Sequence, residues 1–167
     1  PFGGNLFLGS NTGMHIFNVN NVDNPVKKGM FVHATVCDPV VADEKNAFVT
    51  LRGGGRCMGA SNQLDVVDVT NVSNPTLVKT YPLKNPFGLS KDKNWLLICD
   101  GSEGVKIFDA SNVNNLQLQA TIPNLNAYDV IAINGYAFVI ASEGLFCVDY
   151  NNVKSPKIIS KFTLNAQ

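Results

Sequence analysis

The chain has 167 residues, 45% hydrophobic and 16% charged, which is long enough and apolar enough for a domain with a real core. Thirteen basic residues balance thirteen acidic ones, so there is no excess charge to hold nucleic acid or an anionic membrane. No apolar run approaches the roughly 18–20 residues of a membrane span, and four cysteines are too few for a disulfide scaffold.

No window sustains the i, i+3, i+4, i+7 apolar spacing of a helix. Short apolar runs alternate with clusters of Asn, Gly, Pro, Ser and Asp, which is the pattern of an all-β chain. In chain order, the alternation predicts strands at 5–9, 14–19 and 26–31, then at 39–43, 47–51, 64–69 and 77–81. It predicts further strands at 87–90, 95–99, 105–109 and 116–121, and at 129–133, 136–140, 145–149 and 158–162. Tight turns separate the first two strands of a set, and Asn134-Gly135 between apolar runs is a strong hairpin signal.

One segment recurs through these sets. Its fullest copy is Leu64-Asp65-Val66-Val67-Asp68-Val69-Thr70-Asn71-Val72-Ser73-Asn74-Pro75. The other copies begin at Met14, Val105 and Leu145, so the starts at 14, 64, 105 and 145 are spaced by 50, 41 and 40 residues. A period near 40 with four strands per unit predicts a β-propeller of four-stranded antiparallel blades. The blades fall at approximately 1–32 (partial), 38–82, 86–122 and 128–163, within one domain over 1–167. That is about 3.75 blades, so the expectation is a piece of a larger, six- to eight-bladed propeller. The remaining blades of the same polypeptide, or a second copy, would close the ring. The start at Pro1 agrees with a piece of a longer protein or a removed targeting segment.

The motif acids Asp68, Asp109 and Asp149 end strands and precede Thr, Ser or Asn. A carboxylate so placed accepts backbone N–H bonds two residues on, an Asx turn that sets the next reversal. They lack the second carboxylate and glycine-anchored loop that a calcium site needs.

The loops that enter the inner strands and those joining strands two and three emerge on one face of each blade. They span 32–38, 52–63, 84–86, 100–104, 124–129 and 141–144. The 52–63 loop departs from the repeat, with Arg52 and Arg56 flanking three glycines and able to grip a carboxylate or phosphate. It is no P-loop, since Gly-Lys-Ser/Thr is missing. Asp38 and the pair Tyr128 and Asp129 open inner strands beside the central channel. These five residues, Asp38, Arg52, Arg56, Tyr128 and Asp129, are the candidate ligand contacts. No nucleophile elbow or dinucleotide fingerprint is present. No cofactor is expected. No metal is expected either, because His33, Cys37 and Asp38 fall short of a convergent ligand set.

The motif, with its Gly104-Val105 and Gly144-Leu145 strand starts and its Asn74-Pro75 and Ser155-Pro156 ends, resembles the LVIVD repeat of bacterial and archaeal cell-surface propellers. Asn115-Leu116 replaces the expected Asn-Pro in the third copy, and Asn18 replaces the Asp in the first. The resemblance implies a protein of the cell envelope, at the outer surface or in the periplasm, often lipid-anchored at full length. The function expected is non-catalytic binding of a protein, peptide or glycan through the loop face. The alternative is an envelope hydrolase or lyase with Asp38, Arg52, Arg56 and Asp129 around the channel mouth. In an oxidising envelope Cys37 and Cys57, on one face of one blade, are placed to bridge, closing a loop of about 20 residues worth roughly 3 kcal/mol. Cys99 and Cys147 sit in apolar strands and read as small core hydrophobes.

Overall fold

The computed structural model describes residues 1–10, 12–32, 39–54 and 61–163, and these form β-strands and turns with no helix among them. The first sheet has three strands, β1 (Asn5–Ser10), β2 (Gly13–Asn18) and β3 (Val26–Phe31). The second has four, β4 (Val40–Ala42), β5 (Asn46–Leu51), β6 (Gln63–Asp68) and β7 (Thr76–Pro82). The third is β8 (Leu89–Asp92), β9 (Trp95–Cys99), β10 (Val105–Asp109) and β11 (Gln117–Ile122). The fourth is β12 (Ala127–Ile133), β13 (Tyr136–Ala141), β14 (Gly144–Asp149) and β15 (Lys157–Thr163). Every sheet is an antiparallel meander in which strands pair in chain order. The strands follow the alternation read from the sequence to within two residues at nearly every end, because a half-buried strand must alternate.

The chain divides into two compact units, Pro1–Leu83 with the first two blades and Lys84–Gln167 with the last two. In the first unit Phe7, Met14 and Ile16 pack with Ala47, Val49, Leu51 and Val67 to make its core. In the second, Leu97, Cys99, Val105 and Ile107 pack with Val130, Ala137, Val139 and Val148. The inner strands of the second unit also touch through polar groups. Gly88 N donates to Tyr128 O at 2.8 Å, and Ala132 N donates to Ser90 Oγ at 2.9 Å.

The repeated turn is built by side chains. Asp68 Oδ1 accepts from Thr70 N at 2.8 Å and from Thr70 Oγ1 at 2.6 Å. Asp109 Oδ1 accepts from Ser111 N at 2.9 Å, and Asp149 Oδ1 accepts from Asn151 N at 2.9 Å. Asn18 does the same for Asn20 N at a longer 3.3 Å, as a neutral amide oxygen should. A second Asx turn follows three residues later, on Asn21, Asn71 and Asn112. The bonds hold the carboxyls of Asp68, Asp109 and Asp149 below the ordinary carboxylate range; for Asp68 the Thr70 hydroxyl contributes most, for the other two a backbone N–H. Asp68→Ala is therefore expected to lower stability by about 1 kcal/mol, read from denaturant midpoints. A loss below a few tenths would show that the turn closes without its carboxylate.

One regularity has no sequence signature. The pairing of the last two strands slips at the same motif position in each of the four sheets: Ile16/Phe17, Val66/Val67, Ile107/Phe108 and Cys147/Val148. Each slip places one extra residue in the outer strand. Such bulges add twist and spoil a flat edge for pairing with other chains, which suits a strand at the outer edge of its sheet.

Candidate functional site

Of the candidate contacts, Asp38 and Arg56 lie outside the described residues, as do His33, Cys37 and Cys57 and hence the expected bridge. Among the described cysteines, Cys99 is a buried free thiol and Cys147 a half-buried one. Burial, and secondarily the charge of Asp129, push the Cys99 thiol far up, so it stays protonated. Arg52 follows β5 in the first unit and is half-buried. The flanks of its loop are tied: Gly53 N donates to Asn62 Oδ1 at 2.8 Å, and Leu83 N donates to Asn62 O at 3.0 Å.

Tyr128 and Asp129 are adjacent near the start of β12, where the pairing with β13 slips between Ala127 and Asp129. The Tyr128 ring meets Phe87 edge to face, centroids 5.2 Å apart. Its hydroxyl accepts from Asn126 Nδ2 at 2.9 Å. Asp129 Oδ1 accepts from the adjacent Val130 N at 2.9 Å. This carboxylate also explains Gly88: a Cβ there would come within 2.0 Å of Asp129 Oδ1 and 2.9 Å of Asp129 Cα. Only glycine lets the two inner strands approach with the acid between them.

The residue that organises this face is one that sequence reasoning passed over. Asp100, completely buried, directly follows β9. Its Oδ1 accepts from Asn85 N at 2.6 Å and from Lys84 N at 3.1 Å. Its Oδ2 pairs with Lys106 Nζ. One carboxylate thus welds the β9–β10 turn to the connector that enters β8. In the fourth blade a weaker version appears, with Asn126 N donating to the Glu143 carboxylate at 3.3 and 3.4 Å. A signal was available: Lys106 interrupts the run Val105-Lys106-Ile107-Phe108, and a cation on an otherwise apolar strand needs a partner.

A second missed pair sits at the opposite strand ends. Asp92 Oδ2 accepts from the Tyr150 hydroxyl at 2.6 Å and from Gly135 N at 2.9 Å. Asp92, Lys93, Trp95, Asn134, Tyr150 and Asn151 line a polar cleft of about 160 Å³ beside it. Among the described residues no three His, Cys, Asp or Glu side chains group so as to hold a metal ion.

The family model of the LVIVD repeat matches residues 47–82, from β5 through β7, the blade that holds the fullest motif copy. The chain carries an LVIVD repeat. Solved structures with the same fold include the N-terminal domain of Nup159, at 15% identity and a TM-score of 0.62, covering 96% of this chain and 42% of that one. A nidogen/laminin complex matches at 11% identity and a TM-score of 0.67, covering 97% of this chain and 60% of that one. Apo AztD from Citrobacter koseri matches at 13% identity and a TM-score of 0.60, covering 95% and 47%. At these identities the likeness is one of fold, and the fold is the β-propeller. The chain spans about half the length of the structures it matches. No curated protein matches the sequence. The match covers one repeat; the other three segments share its turn and its bulge.

Proposed function

We propose that this chain is the binding portion of a cell-envelope propeller, without catalytic activity of its own, which takes a protein, peptide or glycan on its loop face. The observation that carries this reading is the anchoring of that face in the second unit. Buried Asp100 fixes the connector and the turn of the third blade to one another, and on that base Tyr128 stands exposed, braced by Phe87 and Asn126. An aromatic ring and an amide held rigidly at a surface bind at low entropic cost, which is how recognition surfaces commonly work. Asp129, the acid that a hydrolase or lyase would draw on, is engaged by the neighbouring backbone N–H. A structure of this fold was solved as a nidogen/laminin complex, which supports use of such a fold for partner recognition. The envelope address, surface exposure and a lipid anchor rest on the character of LVIVD-repeat proteins. Fractionation and lipid labelling of the full-length protein test them, and a protein found entirely in the cytosol would sink that part.

The binding test uses the chain against displayed peptide libraries and glycan arrays. A class should be enriched whose affinity falls by at least about tenfold in Tyr128→Ala, roughly 1.4 kcal/mol, with an unchanged melting temperature. If the enriched class binds Tyr128→Ala as well as the parent, the loop face of the second unit is not the site.

A further inference from the structure

The cleft beside Asp92 lies at the strand ends opposite the loop face, and ligand binding at that face makes no use of it. It is also where the repeat departs from its own pattern. The residue after the motif Asp or Asn is Val19, Val69 and Ala110 in the first three copies but Tyr150 in the fourth. The residue paired with that Asp or Asn is Asn5, Asn46 and Tyr136 in three blades. In the third blade it is Trp95, the one tryptophan of the chain. The Asx turn closes in every copy without these two large side chains, so the turn does not account for them. Tyr150 secures Asp92, while Trp95 packs partly on the core and partly lines the cleft.

The cleft is furnished with polar groups that are held in place but not used up. Asp92 is oriented by the Tyr150 hydroxyl and Gly135 N, and a carboxylate has lone pairs for further donors. Around it, the Trp95 indole N–H, the Lys93 ammonium and the Asn134 side-chain amide have no hydrogen-bond partner among the described residues. Lys93 and Asn134 each take the first position of a two-residue hairpin, at φ of 55° and 51°, which fixes where their side chains leave the backbone. The charges of Asp92 and Lys93 cancel, so the cleft favours neither an anion nor a cation. Its volume of about 160 Å³ is below the roughly 300–1,000 Å³ of pockets for drug-sized ligands, and it suits one ring rather than a peptide or a nucleotide.

We propose that this cleft binds a single neutral pyranose ring, either a free sugar or the end of a glycan chain. Such a ring has an apolar face of C–H groups to lie against the indole. Its rim carries hydroxyls that each donate and accept. One hydroxyl donates to Asp92, and others accept from Trp95, Lys93 and Asn134. An anion would meet the Asp92 charge, and an apolar ligand would leave that carboxylate and three donors unpaired. Because two tight hairpins already hold the groups, little ordering is needed on binding. The site is separate from Tyr128 and goes beyond recognition at the loop face.

Because Trp95 is the sole tryptophan, its fluorescence reports on this cleft alone. The chain is titrated with glucose, galactose, mannose and N-acetylglucosamine, then with oligosaccharides ending in each, and calorimetry is run in parallel. At least one sugar should give a saturable change in emission. A response to the monosaccharide identifies a free-sugar site, and a response to the oligosaccharide alone identifies a chain end. Asn134→Gly keeps the left-handed turn while deleting the amide, and it should weaken binding by about tenfold with melting unchanged. Trp95→Phe, followed by calorimetry, should weaken binding at least as much. Tyr128→Ala should leave it unaltered, which separates this site from the loop face. The proposal is overturned by titrations that are flat in both measurements across the whole panel. It is equally overturned by sugar binding that survives both Asn134→Gly and Trp95→Phe, or that disappears in Tyr128→Ala. Tighter binding of inorganic phosphate than of any sugar would also overturn it and reassign the cleft to anions.

Discussion

Replacing Asp100 with alanine should cost the fold about 3–5 kcal/mol, because it strands a cation and two backbone donors at once. The carboxylate is fully buried and carries Lys84 N, Asn85 N and the Lys106 ammonium. Removing it leaves Lys106, whose side chain is 17% exposed, with its charge half out of water and unpaired. The measurement is chemical denaturation of Asp100→Ala beside Asp100→Ala/Lys106→Met. The double variant should recover part of the loss, since it deletes the orphaned charge and leaves an apolar stem to pack. A single-variant loss under about 1 kcal/mol would mean that water replaces the carboxylate and that the loop face is not held by it. Ligand binding supplies a second readout: the variant should lose affinity on the loop face even at temperatures where it stays folded, because the connector carrying Lys84 and Asn85 is released.

Tyr150 is the second point of leverage. It is almost completely buried, and its hydroxyl is bonded to Asp92 at 2.6 Å. Tyr150→Phe should lose about 1.5–3 kcal/mol, the range for a hydrogen bond to a charged group, and Tyr150→Ala about 3–5 kcal/mol through the added cavity. The pair also sets a pH signature. Burial pushes the Asp92 carboxyl up, but the Tyr150 hydroxyl and the N–H groups of Gly135 and Asn134 outweigh it, so its pKa lies below the ordinary value. The native carboxylate therefore binds its proton more weakly than the unfolded one. Its contribution is present above the unfolded pKa of about 3.9 and disappears as pH falls through the folded value. Asp68, Asp109 and Asp149 add to the same acid limb.

Tyr150 has the opposite sign. Burial first, then its bond to Asp92, raise the phenol above its ordinary value. Its contribution is complete below the unfolded tyrosine pKa of about 10 and is lost as pH rises beyond it. Denaturation midpoints should form a plateau between about pH 5 and pH 9 and fall on both sides. In Tyr150→Phe the alkaline fall due to this phenol should vanish and the acid fall become shallower. An alkaline limb identical in the parent and the variant would show that the phenol does not titrate differently on folding.

How much of this was legible without coordinates follows from the range of each interaction. The strands and the Asx turns were readable because their causes lie within a few residues: alternation has a period of two, and Asp68 reaches only as far as Thr70. The spacing of the motif gave the blade count by the same local logic. At Asp100, Lys106 signalled only that a partner was needed; the donors at Asn85 and Lys84 were not readable, since they lie 15 and 16 residues away and come together only through the pairing of the strands. Asp92 and Tyr150 are 58 residues apart, in different blades. The repeated bulge also escaped, because an extra residue in an exposed outer strand changes register without changing alternation.

By itself, then, the sequence determined that this protein is a chain of β-blades whose turns are closed by their own Asp and Asn side chains. What only the tertiary structure decided is which of two equally apolar-looking strand faces is covered. Phe138 and Leu97 are hydrophobic residues at the same repeat position, yet one is 43% exposed and the other buried. Burial of a sheet face depends on the neighbouring blade, and no single strand encodes its neighbour.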